Sequence, residues 1–216
     1  KVSVLIKLCD EYRKAGDAAK AMNYCNQAME QSVKTGYLKG QGSSYANMGM
    51  VYYNQGDYEK ALENQIKSLE ITEVIGDKQG SAMSYNSMGN VYNKQGNYNK
   101  ALENYMKAQK LLEAIGDKQS VAYSHNNIGA VYYNQGNYDK AIENFIASLK
   151  IKEEAGDKKG TASSYSNIGA IYFQQGNFDK ALENHTAALK IREEFSDKKG
   201  IAESHNNIGL IYLEQN

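Results

Sequence analysis

The chain has 216 residues, in which 25 basic and 25 acidic side chains cancel, no proline and two cysteines. With no patch of one sign, this balance argues against nucleic acid or an anionic membrane as the main partner, and no apolar run reaches membrane-spanning length. No signal peptide stands at Lys1 and the chain stops at Asn216 midway through a repeat, so it reads as an excised piece of a longer protein.

One forty-residue step organises the whole sequence. Gly49, Gly89, Gly129, Gly169 and Gly209 align, as do Gly56, Gly96, Gly136 and Gly176, with Gly16 as a worn copy. Ala21, Ala61, Ala101, Ala141 and Ala181 complete the register. A fixed period in this range signals a stacked-repeat architecture, in which each copy contacts mainly its neighbours. The chain is therefore expected to be a single solenoid domain over 1–216, with repeats at about 1–36, 37–76, 77–116, 117–156 and 157–196 and a partial copy at 197–216.

The first repeat is the most diverged, which fits a terminal cap. Cys9 takes the place of the interior glycine, and Cys25 is the other thiol. Each reads as a small buried apolar residue, while a disulfide across the hairpin stays open. The fourth repeat shows the type pattern. Gly116 ends the preceding helix in a left-handed conformation and Asp117 caps the next. A first helix is predicted over about 118–135, with Val121, Ala122, His125, Ile128, Gly129, Val131 and Tyr132 three and four apart. Gly136 and Asn137 repeat the stop and the cap. A second helix follows over about 138–155, with Tyr138, Ala141, Ile142, Phe145, Ser148 and Leu149 inward. A mid-helix glycine costs roughly 1 kcal/mol against alanine, so Gly129 calls for a packing reason. Facing Ala141, it would let the two backbones approach. The last helix, about 198–215, has no partner in this sequence, and Ile208, Ile211 and Tyr212 should pack on the hairpin before it.

The series Tyr165, Ile168, Gly169, Tyr172, Phe178, Ala181 and Ala188 resembles the tetratricopeptide-repeat pattern, over the whole chain and in register at least four times. The repeats differ from the common type in being forty residues rather than 34 and in having no proline. They are similar to those of spindle-orientation adaptors that bind G-protein subunits and of bacterial modules fused to sensor kinases. The resemblance implies an all-α, right-handed superhelical solenoid of about five antiparallel hairpins plus one helix, with the first helix of each hairpin lining a concave groove.

On that reading an asparagine ladder faces the groove: Asn47, Asn127, Asn167 and Asn207, with Ser87 in the fifth place. A carboxamide both donates and accepts, so a row of them can hold an extended peptide by its backbone. Asn90 lies one turn further along, and Asn54, Lys94, Asn134 and Gln174 lie further still; Ser43, Met83, Tyr123, Ser163 and Glu203 stand near the other end of the wall. Tyr53, Tyr133 and Phe173 follow the core candidates Tyr52, Tyr132 and Tyr172. Neighbouring helix residues diverge by about 100°, so this second set either lines the groove as partner anchors or packs between repeats. The basic clamp that some repeats of this kind use for a carboxylate terminus is not expected, because only Lys94 among these positions is cationic.

Other features read as structural. His125 and His205 occupy the large-aromatic position and His185 a helix-packing position, so no metal is expected. Asp77, Asp117, Asp157 and Asp197 read as caps beside solvated lysines, and Glu63 with Lys67 and Glu103 with Lys107 as surface pairs. The glycosylation triplet at Asn184 lies inside a predicted helix. No phosphate loop, nucleophile elbow or carboxylate pair stands out, so neither catalysis nor a cofactor is expected. The chain is predicted to bind a peptide or helical segment of a protein partner, without nucleic acid or membrane insertion, and the cytoplasm is favoured. A regulatory module of a larger signalling protein, or self-association through the open C-terminal helix, is the alternative.

Overall fold

The computed structural model describes residues 1–215. Eleven α-helices and no strand occur among the described residues. They are α1 (Val2–Lys14), α2 (Ala18–Lys34), α3 (Leu38–Gln55), α4 (Tyr58–Val74), α5 (Lys78–Lys94), α6 (Tyr98–Ile115), α7 (Lys118–Asn134), α8 (Tyr138–Glu154), α9 (Lys158–Gln174), α10 (Phe178–Glu194) and α11 (Lys198–Glu214). The all-α, hairpin-repeat expectation holds. The helices group into two compact units, residues 1–116 and 117–216. The first unit stacks the hairpins α1–α2, α3–α4 and α5–α6; the second stacks α7–α8 and α9–α10 and ends on α11. In the first unit, consecutive first helices also touch one another, α1 with α3 and α3 with α5.

The two-residue turns follow from local chemistry. After α7 the chain turns at Gly136, φ 72°. Its N–H reaches the Tyr133 carbonyl at 2.9 Å, and the Asn137 N–H reaches Tyr132 at 2.9 Å. This is the double closure that favours glycine, which lacks the Cβ that would clash at positive φ. Asn137 then caps α8 by accepting from the Lys140 N–H at 3.3 Å, as Asp117 caps α7 by accepting from Ser120 at 3.0 Å. The last junction departs from the rule. Ser196 stands where the other junctions carry glycine, and it holds φ 57°, a left-handed conformation that disfavours any residue with a Cβ.

A second side chain joins the expected glycine–alanine pair at the mid-helix glycines. A Cβ on Gly89 would stand 2.7 Å from the Tyr105 ring; on Gly129, 3.1 Å from Phe145 and 3.2 Å from the Ala141 carbonyl; on Gly169, 2.9 Å from His185. The alanine contributes its backbone, and the residue one turn later lays its side chain under the glycine. That column reads Cys25, Gln65, Tyr105, Phe145 and His185, and all five are buried. Cα–Cβ bonds lean toward a helix's N-terminus, so the side chain sixteen residues after the glycine crosses it. In the first repeat both columns are cysteine, and Cys9 and Cys25 form a disulfide with Cα atoms 5.4 Å apart. Of the two sequence readings, the bond is the one observed.

Successive hairpins join through a second register, Ser32, Thr72, Lys152 and Arg192, each buried. Thr72 accepts from the Ser81 hydroxyl at 3.0 Å. Lys152 donates to the Ser164 hydroxyl at 3.0 Å. Arg192 donates to the Gly200 carbonyl at 3.0 Å and the Ser204 hydroxyl at 2.7 Å. Buried polar groups at these joints are thus paired, as a packed interior requires.

Candidate binding wall

Each first helix buries one face and leaves a polar stripe open. On α5, Ala82, Ser84, Met88, Gly89 and Val91 are buried, while Met83, Asn90 and Lys94 are exposed and Ser87 is half-buried. The same spacing places Tyr123, Asn127 and Asn134 along α7, and Ser163, Asn167 and Gln174 along α9. All five ladder residues, Asn47, Ser87, Asn127, Asn167 and Asn207, are half-buried, and Asn54 and Asn134 are exposed.

The carboxamides are partly engaged. Asn47 donates to the Ser43 carbonyl one turn back at 2.9 Å. Asn167 donates to the side-chain Oδ1 of Asn126 on the neighbouring first helix at 3.2 Å. Asn126 was not singled out from the sequence, although Asn86, Asn126, Ser166 and Asn206 recur at that register. The sign was a second polar column beside the ladder. Asn90 accepts from the Tyr105 hydroxyl at 2.6 Å, a bond inside its own hairpin.

The aromatics are held within their hairpins. Tyr53, Tyr133 and Phe173 are half-buried. Their ring centroids lie 5.9, 5.9 and 5.8 Å from Tyr58, Tyr138 and Phe178, on the second helix of the same hairpin. Burial raises the Tyr53 phenol pKa, with Tyr58 adding to it. Tyr52, Tyr132 and Tyr172, expected in the core, are also only half-buried. Lys60, Lys140 and Lys180 cover their faces at 5.4, 5.3 and 5.1 Å. Two adjacent aromatics straddle the hairpin seam, so neither goes fully inside.

The histidines are dispersed. His125 shares a hydrogen bond with Asn144 at 3.1 Å. His205 is exposed, and His185 is buried beneath Gly169. Among the described residues no three His, Cys, Asp or Glu side chains gather as metal ligands, and no helix is long and apolar enough to cross a membrane. Asn184 lies within α10 and donates to the Lys180 carbonyl at 2.8 Å.

Helical hairpins with interior glycines and a polar first-helix face define a helical-repeat protein. The family profile described as tetratricopeptide repeat matches residues 40–114, 120–194 and 160–216. The chain belongs to the tetratricopeptide-repeat family. Curated proteins give no sequence match. Among solved structures, the chain is similar to the signal transduction ATPase with numerous domains, which has a tetratricopeptide repeat sensor, from Pyrococcus horikoshii. There the TM-score is 0.83 at 22% identity, over 100% of this chain and 34% of that one. It thus spans about a third of that relative's length. It is also similar to BtubC from P. vanneervenii, with TM-score 0.75 and 18% identity over 94% of this chain and 83% of that one. Aspartyl phosphate phosphatase F from Bacillus subtilis follows with TM-score 0.73 and 15% identity, over 98% and 59%.

Proposed function

We propose that the chain is a protein-interaction module that holds a peptide or helical segment of a partner against its first helices. The polar stripe on those helices carries this reading. Asn47, Ser87, Asn127, Asn167 and Asn207 offer donors and acceptors to a partner backbone, with Asn90, Asn54, Lys94 and Asn134 along the same helices. Tyr53, Tyr133 and Phe173 contribute the open edges of rings anchored in their hairpins. Extended segments bound in this way gain affinity from main-chain hydrogen bonds and specificity from side-chain pockets. No reaction, metal or cofactor is assigned to this wall. A partner captured from the source organism and crosslinked to the chain supplies the assay. Replacing Asn127 and Asn167 together by alanine should weaken capture at least tenfold while leaving helicity and melting within a degree or two. Undiminished capture would remove the ladder from the binding surface.

A second reading, self-association or a regulatory role, rests on the exposed face of α11. Leu210, Tyr212 and Leu213 are exposed there, and a Cβ on Gly209 would meet nothing within 4 Å. Exposed apolar surface of this kind drives association. A light-scattering concentration series on the chain and on Leu213→Lys separates the two readings. A mass that stays monomeric in both would discard self-association.

A further inference from the structure

The side chain under the interior glycine also decides what opens onto the wall. In the third repeat Tyr105 fills that channel to its end. Its ring lies under Gly89, and its hydroxyl emerges at the wall to meet Asn90 at 2.6 Å. In the fifth repeat both ends of this pair change together. His185 replaces the tyrosine and Ala170 replaces the asparagine. The imidazole still lies under Gly169, but it is shorter than a phenol and has no hydroxyl to send outward. Beside it lies an opening of about 90 Å³, lined by Ala170, Phe173, Gln174, His185, Asn207 and Leu210.

The opening has polar groups in its lining. His185 is only 3% exposed, and its Nδ1 is buried with no hydrogen-bond partner. The His185 ring and the Gln174 carboxamide line the opening, so it offers donors and acceptors to a side chain that enters. Burial, with the Arg192 charge nearby, lowers the imidazole pKa, which keeps the ring neutral with one donor and one acceptor. Half-buried Asn207 adds a carboxamide to the rim. A space this size holds a few waters or one short side chain.

We infer that this opening is a specificity pocket for a hydroxyl-bearing side chain, serine or threonine, of the segment bound along the wall. The partner's hydroxyl takes the place that the Tyr105 hydroxyl fills in the third repeat, between the ring beneath the glycine and the wall. The inference rests on the first-helix wall being the binding surface. Valine matches threonine in shape without its hydroxyl, so the pocket distinguishes the two by hydrogen bonding.

The test uses the full chain and a positional-scanning nonapeptide library on an array. The restoring variant is His185→Tyr with Ala170→Asn, which installs the pair already present at Tyr105 and Asn90; a melting curve like the wild type's shows that it folds. His185→Phe, matching Phe145, is the single-site companion. The wild type should favour serine or threonine over valine and alanine about tenfold or more at one peptide position. Both variants should lose that preference and keep the preferences at other positions. Peptides that bind with no hydroxyl preference, with threonine equal to valine, or with a preference the variants retain would overturn the pocket and leave the wall standing. A chain that binds no peptide at all would overturn the wall reading and the pocket with it.

Discussion

The two compact units join successive hairpins at one shared register with different chemistry. In residues 1–116 the joint is made by hydroxyls: Thr72 accepts from Ser81, and Ser84 donates to Ser68 at 3.0 Å. In residues 117–216 the corresponding side chains are Lys152 and Arg192, cations whose aliphatic stems cross the joint and whose heads end on Ser164 and on Gly200 and Ser204. The backbone arrangement is the same in both. A small residue leaves the joint to short hydroxyl bonds, while a long one spans it with its stem and brings a charge inside. A buried ammonium with one hydroxyl partner and the Tyr123 ring at 5.9 Å is less fully compensated than a guanidinium that holds a carbonyl, a hydroxyl and, at 3.3 Å, the Glu203 carboxylate. Residues 1–116 also hold a hairpin closed by Cys9 and Cys25, while in α11 a Cβ on Gly209 would meet nothing within 4 Å.

The largest test of this contrast sets a covered glycine against a bare one. Gly89→Leu would drive a side chain into the Tyr105 ring and should cost about 3 kcal/mol or more, in line with overpacked cores. Gly209→Ala meets open space and should stabilise α11 by up to about 1 kcal/mol. Chemical denaturation of both variants checks the pair. If both changes cost the same, the glycine column is not a packing column. Reducing the Cys9–Cys25 bond, which closes a separation of 16 residues, should cost about 3 kcal/mol. Hydrogen exchange should locate that loss in α1 and α2. Loss spread evenly over all helices would mean that the first hairpin is not a separable cap.

The charged joints give smaller effects. Lys152→Met removes a buried charge and keeps the stem, so it should leave stability unchanged or raise it by about 1–2 kcal/mol. Burial lowers the Lys152 pKa, with Asp157 acting in the opposite direction. The folded state therefore releases that proton before the unfolded state, whose lysine titrates near 10.4. Between those two values the unfolded chain binds more protons, so this residue's contribution makes stability rise with pH up to about 10.4. The difference in melting temperature between wild type and Lys152→Met should narrow as pH rises toward about 10.4. A constant difference would contradict the charge argument. The smallest effect belongs to Ser196→Gly, which relieves a positive φ and should add about 1 kcal/mol, visible as a rise in melting temperature.

Much of this was legible in the sequence. Gly136 with Asn137 and Gly116 with Asp117 marked the turns to within a residue or two, because a left-handed stop and a side-chain cap are local devices. Ala141 opposite Gly129 was legible, but the Phe145 ring beside it was not, since that depends on the direction in which side chains lean across the hairpin. The same geometry explains why Cys9 and Cys25 bond: they fill the glycine column and the column beneath it. Lys152 and Arg192 were not singled out from the sequence, because only the stacked neighbour shows how far their stems are covered. The ladder was legible as a row, but the bond from Asn167 to Asn126 joins two repeats and has no signature within either.

The account stands on the first helices being the face that meets a partner. Hydroxyl-radical footprinting with a captured partner tests this directly, because Met83 and Tyr123 are exposed on first helices at 55% and 52%, and Met106 is exposed on second helix α6 at 41%. Partner binding should shield Met83 and Tyr123 from oxidation severalfold and leave Met106 unchanged. Shielding of Met106 with Met83 and Tyr123 still fully reactive would contradict the account.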